Sequence, residues 1–309
     1  MNLNELFMAT SHSVVCFINK LDRGPLGSSK PLFPQIIGTG FLLDSNGIAV
    51  TNRHVAEVFN RLRANPRTGE SSLGAVLFLP GGVRDSWQMV VLEVLEWFGL
   101  ANLKSTDKWY GERVPDIAFV QIGAGEVPFL KLATEDYYLK IGMSISTIGY
   151  PVGRLPLTAA LGKLHQASPF IRHGIVSSVF PFPNPYPHGF TIDVLQQGGS
   201  SGSPILREDG RVVGMMKSSV LEWGLARAEH PNDDNILGGP TASVSPAYSQ
   251  NTNISIAEPA HIIDRAYQAF RTEVPQASGL KSLAQIRAEH PLGSVDDQLR
   301  RESSIKPSK

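Results

Sequence analysis

The chain has 309 residues, enough for one large domain or two packed lobes with a substantial core. Apolar residues make up 42% and charged residues 18%, which excludes a disordered chain. Lys plus Arg and Asp plus Glu both number 28, so the net charge is zero and gives no electrostatic reason to expect nucleic acid as a partner.

At the N-terminus, no cluster of positive charge precedes the first apolar stretch, and Glu5 interrupts it, so no signal peptide is expected. No run approaches the ~18 uninterrupted apolar residues of a membrane-spanning helix. The expectation is a soluble cytoplasmic protein without membrane contact. The single cysteine, Cys16, cannot form an internal disulfide, which fits a reducing compartment. It lies in the run Val14-Val15-Cys16-Phe17-Ile18 and reads as a buried small hydrophobe rather than a reactive thiol.

Short β-type runs separated by Gly, Pro, Asn and Asp turns dominate the rest. Candidate strands cover 13–18, 36–43 and 48–52, the last two flanking the hairpin signal Asp44-Ser45-Asn46-Gly47. A short helix is expected at 55–63, and strands at 75–79, 87–97, 117–122, 144–148, 174–180 and 190–195. Runs 204–206 and 211–217 are joined by Glu208-Asp209-Gly210, and 253–257 is the last strand. A helix over 259–274 starts on Pro259 and lines up Ile262, Ile263, Ala266, Tyr267 and Phe270 on one face. Even spacing of short strands before a late helix indicates an all-β barrel or sandwich, and no βαβ alternation supports a doubly wound sheet. Two stretches read as surface loops: the proline-rich 181–188, and 222–250, either a lid or a disordered insertion. Residues 276–309 form a charged tail with one helix, 283–289, at most.

Three residues stand out for chemistry. Ser201 sits in Gly198-Gly199-Ser200-Ser201-Gly202-Ser203-Pro204, where glycines let the backbone turn sharply and aim amide N–H groups inward. Gly199 and Ser201 are the natural oxyanion donors, although alone the motif reads equally well as a flexible turn. His54 follows an apolar strand, a rigid place from which an imidazole reaches a hydroxyl. Asp116 opens the strand Ile117-Ala118-Phe119-Val120; it reads as a turn residue or as the acceptor that fixes the histidine tautomer. The chain order His, Asp, Ser is that of one triad arrangement among several. Metal chemistry is not expected: His54 and Glu57 make no His-Glu-x-x-His frame, and one cysteine rules out a thiolate cluster.

These residues carry a resemblance. Gly38-Thr39-Gly40-Phe41-Leu42-Leu43 running into Thr51-Asn52-Arg53-His54-Val55, Asp116 to Val120, Ile148-Gly149-Tyr150-Pro151-Val152-Gly153, Gly174-Ile175-Val176-Ser177-Ser178 and Gly199 to Pro204 resemble the chymotrypsin/trypsin-like serine peptidases, especially the HtrA-type protease domain. The resemblance implies an all-β, chymotrypsin-like fold of two six-stranded antiparallel barrels, 10–125 and 140–260, with a C-terminal helix and the site between them, all within a 1–275 peptidase domain. It implies a serine endopeptidase with Ser201 as nucleophile, His54 as general base and Asp116 as orienting residue, and no cofactor. Ser200 departs from the family's usual Asn or Asp, leaving Ser200 or Ser203 as rival nucleophiles; the Gly-X-Ser-Gly-X-Pro frame selects Ser201. Only about 40 residues follow the protease region, so no PDZ domain is expected.

By the same resemblance, Leu195, Met216, Lys217 and Ser218 border the substrate. Lys217 either enters the cleft or snorkels to solvent, the latter being the expectation. Expected partners are a protein or peptide substrate, and a second copy or a partner protein. Two rival readings are a peptide-binding pseudoprotease and a dedicated processing protease in a multi-component system. With Leu195 where a basic-specific enzyme carries an acid, a peptide library should show preference for small or medium aliphatic P1 residues. Dominant Arg or Lys cleavage would remove the Leu195 argument.

Overall fold

A computed structural model of the protein describes residues 1–20, 35–62, 71–80, 87–100, 114–134, 139–151, 157–159, 162–164, 169–224 and 248–289. The chain opens with a short helix, α1 (Leu3–Thr10), whose N-terminus is closed by reciprocal hydrogen bonds between Asn2 and Glu5. At eight residues it is too short for its apolar positions to show a clear helical period, and sequence reasoning did not anticipate it.

The first lobe comprises β1 (Val14–Asn19), β2 (Gln35–Leu42), β3 (Ile48–Thr51), α2 (Arg53–Phe59), β4 (Leu73–Pro80), β5 (Trp87–Leu92), β6 (Val94–Gly99) and β7 (Ala118–Ile122). Its antiparallel strands pair in the order β5-β4-β1-β2-β3-β7-β6. The two edge strands are consecutive in sequence, separated by Glu93 alone. The expected strand at 87–97 is therefore one chain pass bent at Glu93: its first half pairs with β4 and its second with β7. The sheet rolls until its edges are one bent segment, which gives six passes around the lobe.

The second lobe is built from β8 (Ser144–Gly149), β11 (Phe170–Phe180), β12 (Gly189–Ile192), β13 (Pro204–Leu206), β14 (Val212–Gly224) and β15 (Tyr248–Pro259), a closed barrel in the order β11-β12-β15-β14-β13-β8. A separate hairpin, β9 (Leu157–Ala159) with β10 (Gly162–Leu164), lies outside it. Strands β14 and β15 run well past the expected 217 and 253, so the ends of the 222–250 loop are a paired ladder; 225–247 lies outside the described residues. The proline-rich 181–188 is the tip of the β11–β12 hairpin, as expected of a surface loop. Of the tail, α4 (Leu283–Glu289) is described and its Leu283 is buried in the first lobe's core.

Strand alternation sorts the apolar residues into separate cores. Val15 and Phe17 of β1 fill the first barrel with Ala118, Val120 and Ile122 of β7. Phe190, Ile192, Ile205 and Val213 fill the second. The other faces of β1 and β7, through Val14, Cys16, Ile18 and Phe119, meet Ile148, Tyr150, Leu206 and Met215 of the second lobe. Both faces of these strands are covered, which is why they read as unbroken apolar runs. Cys16 is fully buried, and burial pushes its thiol far above the ordinary range, so it is inert.

The long helix α3 (Ala260–Glu273) leaves the second barrel and lies on the first. Phe270 stacks on Phe119 at 4.8 Å and meets Phe98 at 5.3 Å, while the Tyr267 hydroxyl donates to Asp44 Oδ2 at 2.5 Å. Phe270 is 1% exposed. Phe270→Ala should destabilise the protein by about 3–5 kcal/mol through lost burial and the remaining cavity. An unfolding midpoint in urea unchanged from that of the parent would show that α3 packs only loosely.

Candidate active site

The end of β3 delivers His54. Asn52 is the N-cap of α2, is fully buried, and donates its Nδ2–H to the Asp116 carbonyl at 3.0 Å. Two residues on, the backbone N–H of His54 donates to Asp116 Oδ1 at 3.1 Å, and His54 Nδ1 lies 2.6 Å from Asp116 Oδ2. One carboxylate thus grips both the main chain and the ring. An ionised carboxylate only accepts, so Nδ1 carries the proton and Nε2 of the neutral ring is left as a base.

Asp116 is 9% exposed. Burial opposes its ionisation, but the hydrogen bonds and charge of His54, aided by the positive charge of Lys217, outweigh burial and hold its carboxyl below the ordinary range. On the far side, the Asp116 N–H donates to Glu258 Oε1 at 3.1 Å.

Ser201 lies in the loop between β12 and β13. The Ser200 N–H donates to the Gln197 carbonyl and the Ser203 N–H to the Ser200 carbonyl, folding the loop into successive turns. Gly199 and Gly202 have φ of 97° and 87°, the left-handed region that favours glycine. At Gly202 a Cβ would also lie 1.9 Å from the Thr39 carbonyl oxygen. This close approach lets β2 hold the loop. The Thr39 N–H donates to the Ser201 carbonyl at 2.9 Å, and Thr39 Oγ1 donates to the Gly199 carbonyl at 2.7 Å. From the other lobe, the Met216 carbonyl accepts from the Gly202 N–H at 2.9 Å. The backbone N–H groups of Gly199 and Ser201 make no hydrogen bond among the described residues.

The structure brings His54 and Asp116 into direct contact and fastens Ser201 to the strand pair β2–β3 that leads to His54. No hydrogen bond joins the His54 ring to Ser201 among the described residues. Instead Ser201 Oγ receives a hydrogen bond from Gln196 Nε2 at 2.9 Å and donates to the Lys217 carbonyl at 3.4 Å. Of the rival serines, Ser200 is 5% and Ser203 1% exposed, whereas Ser201 is half-buried.

The substrate-side residues separate. Leu195, half-buried, and Met216, buried, wall a small cavity beneath the serine loop. Arg172 braces that loop through bonds to the Leu195 carbonyl and Gln197 Oε1. Ser218 is half-buried on β14. Asp193 accepts from the Ile175 N–H at 2.6 Å and so ties β12 to β11. Lys217 does not snorkel as expected: its Nζ donates to Glu258 Oε1 at 2.7 Å, because a buried carboxylate on the neighbouring strand draws it inward. Thr39 and Glu258 were given no role of their own by sequence reasoning. Only Thr39 carried a signal, its place between two glycines.

A family model described as a trypsin-like peptidase domain matches residues 38–215. A curated protein, the probable periplasmic serine endoprotease DegP-like of Chlamydia muridarum (strain MoPn / Nigg), is 24% identical over 211 residues, which is 67% of this chain and 34% of that protein. The chain thus spans about a third of that relative's length, and the expectation of a cytoplasmic protein gains no support from it. Among solved structures, the HtrA-type protease AlgW with a tripeptide is 14% identical with a TM-score of 0.46, covering 86% of this chain and 62% of that one. A serine-to-alanine variant of AlgW with a tripeptide is also 14% identical, with a TM-score of 0.48 and coverage of 88% and 64%.

The Asp116 carboxyl is lowered on folding, so its contribution to stability is complete above the unfolded value of ~3.9 and is lost as pH falls through the lower folded value. Asp116→Asn should therefore flatten the acid limb of the stability curve below about pH 4. Denaturant titrations at stepped pH with identical acid limbs would contradict this.

Proposed function

The chain belongs to the trypsin-like peptidase family, and on that premise we propose that it is a serine endopeptidase working through Ser201, His54 and Asp116. The observation that carries the reading is the two-point grip of Asp116 on His54, together with a serine loop tied through Thr39 to the strand pair that leads to His54. Ser201 turns its hydroxyl from the Lys217 carbonyl to His54 Nε2, which takes the proton as Oγ attacks the scissile carbonyl carbon. The amides of Gly199 and Ser201 receive the developing oxyanion. His54 then protonates the leaving amine, and water repeats the sequence to release the acyl group. Partial exposure favours Ser201 over its sealed neighbours, because a nucleophile must reach its substrate.

Substrate backbone adds along β14. Strand β13 stops pairing with it at Met215, and beyond that point no described strand other than β15 pairs with Lys217 to Ser219. Apolar Leu195 and Met216 suit an aliphatic side chain at the first subsite. Lys217, held by Glu258, offers its carbonyl rather than its charge. Peptides and proteins are the substrate class.

The engagement of the Ser201 hydroxyl by Lys217 and Gln196 favours one second reading, a peptide-binding protein whose serine stays turned away. Labelling with a fluorophosphonate separates the two. The proposal expects adduct on Ser201, mapped by mass spectrometry, and loss of about 10⁴-fold in kcat for each of Ser201→Ala, His54→Ala and Asp116→Asn, with non-additive losses. No adduct would support the binding role, and two of these variants with near-normal turnover would show that the triad assignment is wrong.

A further inference from the structure

Glu258 is a carboxylate at 3% exposure near the end of β15. Its strand partner is Met215, so sheet pairing gives no reason for an acid there. Both of its contacts lead to the active site. Oε1 accepts from the Asp116 N–H at 3.1 Å and from Lys217 Nζ at 2.7 Å. Asp116 belongs to the first lobe, Glu258 and Lys217 to the second, so the bond to the Asp116 amide crosses the seam.

The charges have a definite layout. Asp116 is faced by His54 from α2, by Lys217 from β14 and by Glu258 from β15. Beside His54, Arg53 and Glu57 pair at 3.4 Å on the exposed side of α2 and nearly cancel. The positive charge of Lys217 helps to hold the Asp116 carboxyl ionised. A buried acid without its cation would be strongly disfavoured. Lys217 also presents its carbonyl to the Ser201 hydroxyl, so one residue touches the nucleophile with its main chain and the carboxylates' field with its side chain.

We propose that Glu258 and Lys217 form a positioning pair for the histidine–aspartate couple. Glu258 fixes the Asp116 backbone across the seam, and Lys217 supplies the charge that keeps Asp116 an ionised partner of His54. The assignment rests on the serine-protease reading above and extends it to two side chains that touch neither substrate nor the reacting atoms.

The test is the titration of the His54 ring by NMR in the full-length Ser201→Ala protein, with the pH profile of kcat/KM in the active-serine protein. Lys217→Met removes a nearby positive charge and strands a carboxylate, so the midpoint should rise. Glu258→Gln strands an ammonium while keeping an oxygen for the Asp116 N–H, so the midpoint should fall. Each shift should be about half a pH unit, reduced by the solvent around a half-exposed ring. The double variant should return towards the parent value, and Lys217→Arg should leave it in place. Glu258→Ala, which also removes the acceptor, should lower kcat about tenfold or more with little change in KM. Single variants that both shift the midpoint in one direction, or not at all, would overturn the proposal, as would Glu258→Ala with parental kcat. Should Glu258 variants fail to fold, Lys217→Met against Lys217→Arg decides alone. A parent protein inert to substrate and fluorophosphonate would sink the protease reading, while the ring titration would still judge the pair.

Discussion

Everything at the site depends on how closely the main chain of Gly202 approaches Thr39. Two lobes, each with its own filled interior, meet along a seam where a serine loop from one must register with a histidine from the other. Thr39 sets that register with both its backbone and its hydroxyl. Its carbonyl also accepts from Thr51 Oγ1 at 2.6 Å, and Thr51 immediately precedes the cap of α2. A short relay of hydrogen bonds therefore runs from the serine loop through β2 and β3 to the helix start that carries His54. The glycine is demanded by space as well as by its backbone angle, since any side chain would strike the Thr39 carbonyl oxygen.

Around this seam the polar groups are arranged by what each can accept or donate. Asp116 spends both oxygens on His54, leaving its own amide for Glu258. Asn52 holds the Asp116 carbonyl from behind. Fixing the carboxylate on several sides is how an exposed imidazole keeps one orientation, because the ring itself has few packing neighbours to restrain it. Precision at His54 comes from buried groups behind it rather than from contacts at its solvent face.

Much of the fold was legible. The segments 13–18, 48–52, 117–122 and 204–206 are strands because continuous apolar runs mark residues covered on both faces. The helix at 259–274 was legible from its single apolar face. The misses have identifiable causes. Glu93 divides a strand because the pairing partner changes there, a tertiary event without a local signature. Strands β14 and β15 continue into polar sequence because their ladder is held by backbone bonds that ignore side-chain type. At the site, His54, Asp116 and Ser201 were selected by order and by neighbouring strands, and the contact between the first two follows that selection. The destination of Lys217 was not legible, since Glu258 is a lone acid far along the chain and nothing in its surroundings announces a partner. The rotamer of Ser201, facing Lys217 and Gln196, likewise depends on groups brought together only by the barrel.

The path of α3 has a bearing on how the chain is organised as a whole. A segment that issues from the second barrel ends clasped to the first, with Phe270 against Phe119 and Tyr267 bonded to Asp44, and α4 continues onto the same lobe. The halves are therefore interlocked like a buckle. Neither is a self-sufficient module, since each is finished by sequence that lies beyond its own barrel or is closed over by the other's.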